Sequence, residues 1–278
     1  MAVGKGKGKR EKGQGKRDKG KGKSVNRRLL GRFVVALALT TVGAMAAAQQ
    51  RLPAPDPVAT FSILGYDPNT GEVGGAVQSR VFAVGNGVLW GEADVGMVAT
   101  QAIVDVSYGP KGLQLLKKGM APDAIVKTIW SEDPDPGLGN NPWPKAGRQF
   151  AVMDAKGNYA AFTGEKATPW AGHKGGKFCT AQGNILAGEA VVANMVDAFE
   201  KTTGHLSLRL MAALDGGQAG GGDKRGMQSA AMLIVKKDGG VWLHNDVVLR
   251  LQVDESPEPL KELRRLVEYN HARRYAPR

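Results

Sequence analysis

The chain has 278 residues, an ordinary apolar content of 42%, and a formal net charge of +12. Residues 1–28 contain twelve Lys and Arg against two acidic residues, so that stretch accounts for ten of the twelve positive charges. The remaining part has almost no net charge, which argues against nucleic-acid binding through a basic surface there. Its length is that of one domain of roughly 200 residues.

The front of the chain is predicted to be a leader. Residues 1–28 are a Lys/Gly-rich segment that cannot bury a core, and we expect it to be disordered. A basic arm for nucleic acid or anionic lipid is the alternative to an overlong leader or a misassigned start near Val25. Residues 29–48 follow as the hydrophobic region of a signal peptide, ending in small residues that suit signal peptidase. The apolar run is shorter than the roughly 20 residues of a membrane span. We therefore expect export to the periplasm or the outside, by the Sec or Tat route, with no stable membrane span.

A proline-rich lead-in at residues 49–57 precedes a strand, a turn and a second strand over residues 59–80. The turn at residues 67–71 contains Pro, Asn and Gly, which favour turn dihedrals. Thr60 lies at the head of the first strand. A hydroxyl residue there, close to a new N-terminus, is where an N-terminal-nucleophile (Ntn) hydrolase would carry its reactive group.

Further along, strands and helices come in groups rather than in strict alternation. This grouping predicts antiparallel sheets covered by helices, an α+β layered fold. Loops are predicted at 81–96 (with a short strand), 133–147, 169–176 and 220–223. Strands are predicted at 95–102, 148–154, 158–164, 178–186, 228–236 and 241–253, and helices at 110–118, from 121, and at 188–201, 206–214 and 260–269.

Common catalytic and cofactor motifs are missing from the sequence, including His-Glu-x-x-His, Cys-x-x-Cys, Gly-x-Ser-x-Gly and the phosphate loop. We therefore expect no cofactor. The four histidines, at positions 173, 205, 244 and 271, lack metal-ligand spacing, so no metal site is predicted. Cys179 is the single cysteine, which excludes a disulfide within the chain and is interpreted as inert packing, with a reactive thiol as the alternative.

Two polar stretches interrupt the apolar pattern. One is a glycine loop leading into a strand at 221–229, and the other is a pair of amides, Gln182 and Asn184, inside an apolar strand. Buried amides without partners cost roughly 1–3 kcal/mol each. These stretches are therefore either a structural hydrogen-bond network or part of a site.

Short motifs are distributed along the domain. They are Thr-Phe-Ser-Ile at 60–63, Ala-Val-Gln-Ser-Arg at 76–80 with Phe-Ala-Val-Gly at 82–85, Ala-Thr-Gln-Ala at 99–102, Ser-Tyr-Gly-Pro-Lys-Gly at 107–112, Thr-Gly-Glu-Lys at 163–166, Pro-Trp-Ala-Gly-His at 169–173, Gln-Gly-Asn-Ile-Leu at 182–186, and Gly-Gly-Asp-Lys-Arg-Gly at 221–226 with Gln-Ser at 228–229. As a set they resemble the bacterial domain-of-unknown-function family 1028, which is Ntn-hydrolase-like, over about residues 58–270. The resemblance implies a four-layer αββα sandwich formed by a domain at residues 58–278.

The resemblance also maps a site onto this chain. Thr60 is the implied nucleophile, and its free α-amine, titrating near roughly pH 7.7–8.0, would be the base. A signal cut after Ala48 leaves residues 49–59 ahead of Thr60, so a further cut is required. Position 80 is Arg where the family usually has Lys, and Arg stays protonated. The implied catalytic set is Thr60, Arg80, Gln101, Asn184 and Asp223, and the implied substrate-binding set is Arg225, Ser229, His173 and Trp170.

The leading hypothesis is an exported Ntn-fold amidohydrolase that cleaves an amide or peptide-like bond in a small substrate. The rival is a non-catalytic envelope protein that keeps the fold for binding or assembly. A nucleic-acid binder acting through the basic arm ranks last, because signal cleavage would remove the arm. A homo-oligomer is expected by analogy with other Ntn folds.

Overall fold

The structure is a computed structural model that describes residues 60–138 and 142–275. The predicted leader, signal region and proline-rich lead-in (1–28, 29–48 and 49–57) lie outside these residues.

The predicted first hairpin is confirmed. Strands β1 (Thr60–Asp67) and β2 (Glu72–Ser79) pair antiparallel along their whole length. The Asp67 carboxylate accepts a hydrogen bond from the Asn69 N–H at 2.9 Å, and Gly71 adopts φ +75°, which a residue with a side chain rarely does. The turn residues therefore fix the register of the hairpin.

The described residues form two antiparallel sheets. Besides β1 and β2, the strands are β3 (Leu89–Glu92), β4 (Gly96–Ala102), β5 (Arg148–Asp154), β6 (Tyr159–Thr163), β7 (Gly172–Gly176), β8 (Cys179–Asn184), β9 (Ser229–Val235) and β10 (Val247–Val253). The hairpin lies at the centre of the larger sheet, sheet I, whose strand order is β10-β9-β2-β1-β8-β7, whereas sheet II has the order β3-β4-β5-β6.

Six α-helices accompany the sheets within the described ranges, so the predicted α+β class is confirmed. They are α1 (Gly85–Val88), α2 (Tyr108–Lys117), α3 (Pro122–Glu132), α4 (Ala190–Lys201), α5 (Leu206–Ala219) and α6 (Pro259–Tyr275), with a 3-10 turn at Lys145–Gly147. None of these helices is long and apolar enough to cross a membrane.

The apolar side chains separate into three layers, and strand alternation explains the separation. On β1, Phe61 and Ile63 face the helices α4, α5 and α6, whereas Leu64 faces sheet II. On sheet II, Val98 and Phe150 face α2 and α3. Each large side chain buried in this way stabilises the fold by about 1.5–3 kcal/mol.

One predicted helix end and one predicted loop were wrong for reasons that involve glycines. Helix α5 was expected to end at residue 214 but continues to Ala219. A Cβ on Gly216 would lie 2.6 Å from the carbonyl oxygen of Asn194 in α4, and one on Gly217 would lie 2.9 Å from Cγ of Met195. These glycines therefore let two helices approach closely, and they do not end the helix.

Strand β7 was predicted as part of a loop, because three of its five residues are glycines. Its pairing with β8 nevertheless makes it the edge strand of sheet I. At the opposite edge, β10 begins at Val247 and not at residue 241, and the apolar residues Val241, Trp242 and Leu243 are exposed in the preceding turn.

Candidate functional site

The layer between the two sheets is apolar over most of its area and polar at one end. On β1, Thr60 and Ser62 share the face of Leu64, and strands β2, β4, β5 and β8 contribute further hydroxyl and amide side chains to the same end. These side chains form a polar cluster that consists of Thr60, Ser62, Ser79, Gln101, Gln149, Gln182 and Asn184. Every residue of the polar cluster is at most 1% exposed.

Thr60 lies at the head of β1 between Ser79 of β2 and Asn184 of β8, its cross-strand partners. Its Oγ1 donates a hydrogen bond to Ser79 Oγ at 3.1 Å, and its carbonyl oxygen accepts one from Gln101 Nε2 at 3.4 Å. The whole residue is inaccessible to solvent. The structure thus brings three of the predicted catalytic residues, Thr60, Gln101 and Asn184, into one cluster.

Gln149 on β5 is the centre of the cluster, although it was not among the residues predicted from the sequence. Its Oε1 accepts from Gln101 Nε2 at 2.8 Å and from Asn184 Nδ2 at 3.2 Å. Its Nε2 lies within hydrogen-bond distance of the carbonyl oxygens of Gly183 (2.9 Å) and Gly172 (3.1 Å). Gln149 therefore orients the side-chain amides of both Gln101 and Asn184, two of the predicted catalytic residues.

Ser62 connects the two sheets a little deeper in the same layer. Its hydroxyl donates to Gln101 Oε1 at 2.6 Å and accepts from Gln182 Nε2 at 2.7 Å. Gln182 Oε1 and Thr180 Oγ1 are buried and have no hydrogen-bond partner among the described residues. Each such group costs about 1–3 kcal/mol, so this end of the layer is less stable than an apolar filling would be.

A surface cleft with a volume of about 520 Å³ adjoins the cluster at the β6–β7 side. His173 in its wall contacts Thr163 Oγ1 through Nδ1 at 2.9 Å, and Thr163 Oγ1 accepts from Gln149 Nε2 at 2.9 Å. The protein atoms around the exposed imidazole lower the pKa of His173 by partial desolvation. The Trp170 ring packs beside Gly172. The carbonyl oxygen of Trp170 accepts a hydrogen bond from the Leu186 N–H. Hydrogen bonds thus lead from this cleft to the cluster.

Three further predicted residues meet at the ends of β2 and β8. Asp223 accepts hydrogen bonds from the backbone N–H groups of Arg80 (3.3 Å) and Arg225 (2.8 Å), and it pairs with the Arg225 guanidinium at 3.1 Å. Arg80 donates through Nη1 to the carbonyl oxygen of Arg225. Arg80 follows Ser79 directly, and the Asp223 loop bridges to Leu186 just beyond Asn184. This group, called here the arginine loop, therefore borders the polar cluster.

Ser229 on β9 is the cross-strand partner of Ser79, but its hydroxyl bonds to backbone groups of residues 81–84. Its Oγ donates to the carbonyl oxygen of Val81 at 2.6 Å and accepts from the Val84 N–H at 3.1 Å. The residue is completely buried. These contacts attach residues 81–84 to β9, which is a structural use of the hydroxyl.

A second buried polar group consists of Tyr108, Asp133 and Arg148. Arg148 Nε donates to Asp133 Oδ2 at 3.0 Å, and Tyr108 OH donates to the same oxygen at 2.5 Å. Burial alone would raise the pKa of Asp133, but hydrogen bonds from Tyr108, the Asp135 N–H and Arg148 hold it below its ordinary value. Burial and the Asp133 carboxylate raise the pKa of Tyr108. The trio attaches residues 133–135 to the start of β5 in sheet II.

Cys179 is completely buried against helix α4, and burial raises the pKa of its thiol to about 12. Within the described ranges, no three His, Cys, Asp or Glu side chains are grouped so that they could hold a metal ion.

Two of the three comparisons with known proteins gave a match, and both name the same family. A model of the family of unknown function DUF1028 matches residues 60–263. A crystal structure of a protein from Silicibacter pomeroyi, described as DUF1028, matches with a TM-score of 0.67 and 33% sequence identity, covering 78% of this chain and 92% of that chain. The search of curated proteins returned no match.

Proposed function

The chain belongs to the family of unknown function DUF1028, and from that premise we propose that it is an exported Ntn-hydrolase-like amidohydrolase with Thr60 as nucleophile. The family description names no activity, so the proposal depends on this chain's own arrangement. The observation that carries it is the buried polar cluster that converges on Thr60 at the head of β1.

The layering supports the Ntn part of the proposal. Helices α4, α5 and α6 cover the outer face of sheet I, and α2 and α3 cover the outer face of sheet II. The two inner faces pack on each other through a shared apolar core. This order of layers corresponds to the αββα sandwich that the family resemblance implies.

The chemistry needs Thr60 to be the first residue. A typical terminal α-amine has a pKa of about 7.7–8.0. The free α-amine of Thr60 would therefore take the proton from Oγ1, directly or through water. Oγ1 would then attack the carbonyl carbon of the substrate amide. The amine would return the proton to the leaving nitrogen, and water would hydrolyse the resulting ester of Thr60.

Side-chain amides of the cluster would stabilise the tetrahedral intermediate. Gln101 Nε2 and Asn184 Nδ2 both donate to Gln149 Oε1, which fixes their orientation before a substrate arrives. Gln101 would release its longer bond to the Thr60 carbonyl oxygen, at 3.4 Å, to donate to the oxyanion. Donors oriented in advance are worth more than flexible ones, because no reorganisation is needed as charge develops. Gln149 is therefore a positioning residue in this scheme.

The arginine loop would select the substrate. Arg80 is exposed, and its place directly after Ser79 puts a permanent positive charge at the border of the cluster. Arg225 is already paired with Asp223. A small amide or peptide-like substrate with a carboxylate would be oriented by Arg80, since arginine binds carboxylates through two parallel hydrogen bonds.

One observation favours the rival function, a non-catalytic binding or assembly protein. Thr60 is fully inaccessible to solvent, and its hydroxyl is bonded to Ser79. A strand residue held in this way needs no catalytic role. The two functions differ in what they require of the mature N-terminus.

The experiment compares a form that begins at Thr60 with a form that begins at Gln49, on a panel of N-acyl amino acids and dipeptides. The amidohydrolase predicts turnover only by the first form, with kcat/KM lower by about 10³-fold or more in Thr60→Ala. Thr203→Ala is the matched control, because Thr203 is exposed and distant in the chain. Turnover that survives Thr60→Ala, or no turnover by the Thr60 form, favours the binding protein. Terminal sequencing of the mature protein from its host would test the export and the second cut.

A further inference from the structure

Sheet I has two more strands than sheet II, and the mismatch leaves a ledge at one edge of the fold. Strand β3, the edge strand of sheet II, packs over β9, and β10 extends beyond it. A cavity of about 250 Å³ lies in the step, below helices α1 and α2. The residues that line the cavity of this ledge include Asn86, Leu89, Trp90, Leu113, Arg250 and Gln252.

Arg250 is unusual among the ledge residues because it has a charge without a counter-charge. Its guanidinium makes no hydrogen bond or ion pair with any residue that the structure describes, whereas Arg148 and Arg225 each pair with an aspartate. On β10, the side chains of Arg250 and Gln252 point toward sheet II and line the cavity of the ledge. A guanidinium at a cavity is suited to bind a planar carboxylate.

The other residues that line the cavity determine which chemical groups the rest of a ligand can have. Leu89, Trp90 and Leu113 present apolar surface. Gln252 Nε2 donates to Asn86 Oδ1 and to Asp254 Oδ1, both at 3.2 Å, which fixes the two amides and leaves Asn86 Nδ2 as a donor with no partner among the described residues.

We propose that the ledge binds a small monocarboxylate with a short apolar chain. The carboxylate lies between Arg250 and Asn86, and the chain lies against Leu89, Trp90 and Leu113. The cavity is smaller than the roughly 300–1,000 Å³ of drug-sized sites, which limits the ligand to a few carbon atoms beyond the carboxylate. Strand β10 is three strands from β1, about 14 Å across the sheet at the usual strand spacing. The ledge is thus separate from the polar cluster, and its function does not depend on catalysis by Thr60.

The test measures binding of hexanoate to the full-length chain by titration calorimetry and by ¹H–¹⁵N NMR, with hexanamide and inorganic phosphate as comparison probes. The variant is Arg250→Gln, and Arg265→Gln on the exposed face of α6 is the matched control. Arg250 is exposed, so its replacement should change stability by less than about 0.5 kcal/mol, which thermal unfolding checks.

The expected result is saturable millimolar binding of hexanoate that weakens about tenfold or more in Arg250→Gln and is unchanged in Arg265→Gln. Resonances of Asn86 and Gln252 should shift on titration. The proposal is overturned if hexanoate does not bind saturably, if Arg250→Gln binds it equally well, or if hexanamide or phosphate binds as tightly.

Discussion

Replacing Gln149 with leucine would remove the centre of the polar cluster while keeping a side chain of similar size. Gln149 is 1% exposed and forms hydrogen bonds to side chains on β4 and β8 and to two backbone carbonyl groups. The substitution takes the acceptor from Gln101 Nε2 and Asn184 Nδ2. It also takes the donor from the carbonyl oxygens of Gly172 and Gly183.

The size of the effect follows from these losses. Each buried group left without its partner costs about 1–3 kcal/mol. Gln101 Nε2 keeps the Thr60 carbonyl oxygen at 3.4 Å, and the leucine gains some favourable apolar burial. Counting two poorly satisfied groups and this offset, we expect the free energy of unfolding to fall by about 3 kcal/mol. For a domain of this size the melting temperature should fall by about 6–12 °C.

Urea unfolding followed by circular dichroism measures the change. Gln114→Leu, the same substitution at an exposed position of helix α2, is the control and should stay within about 0.5 kcal/mol of the parent. If Gln149→Leu is as stable as Gln114→Leu, the cluster does not stabilise the fold, and the reasoning that places Gln149 at its centre is wrong.

Three further predictions concern the buried groups. Arg148→Met leaves the Asp133 carboxylate buried without its cation, and equilibrium unfolding should show a loss of about 3–5 kcal/mol; a loss below about 1 kcal/mol would contradict this pairing. Because the pKa of Asp133 is lowered on folding, its contribution is present above the unfolded value near about 4 and disappears as pH falls toward the folded pKa. Asp133→Asn should therefore flatten the acid limb of the stability profile, and an unchanged limb would refute the assignment. The Cys179 thiol, with its pKa raised to about 12, should resist Ellman's reagent at pH 8 in the native protein and react fully in urea; rapid native reaction would show that it is accessible.

Local sequence signals predicted the first hairpin and most of the helices, because turn residues and apolar spacing act over a few positions. Strand β7 escaped prediction because Gly172, Gly175 and Gly176 lack side chains that mark a strand. What makes it a strand is its pairing with β8, a contact that sequence spacing does not reveal.

The site was predictable in part for a similar reason. Two amides in an apolar strand, Gln182 and Asn184, marked one wall of the cluster. Gln149 carried the same signal, a buried amide in a strand, but it stands alone in its segment and follows a charged residue. That it faces Gln101 and Asn184 depends on how the two sheets stack, which no local pattern encodes. Whether Thr60 is catalytic stays a prediction.

Two sheets that met through apolar contact alone would be poorly aligned, because such contact has no preferred direction. The amides at one end of the layer remove that freedom, since hydrogen bonds require particular distances and angles. A slide of sheet II by two residues, about 7 Å along the strands, would carry Gln101 away from Ser62 and toward Leu64, where its amide would find no partner. The polar cluster therefore fixes the position of sheet II relative to sheet I along the strands. These side chains therefore have a structural use in how the two sheets stack, whether or not Thr60 is catalytic.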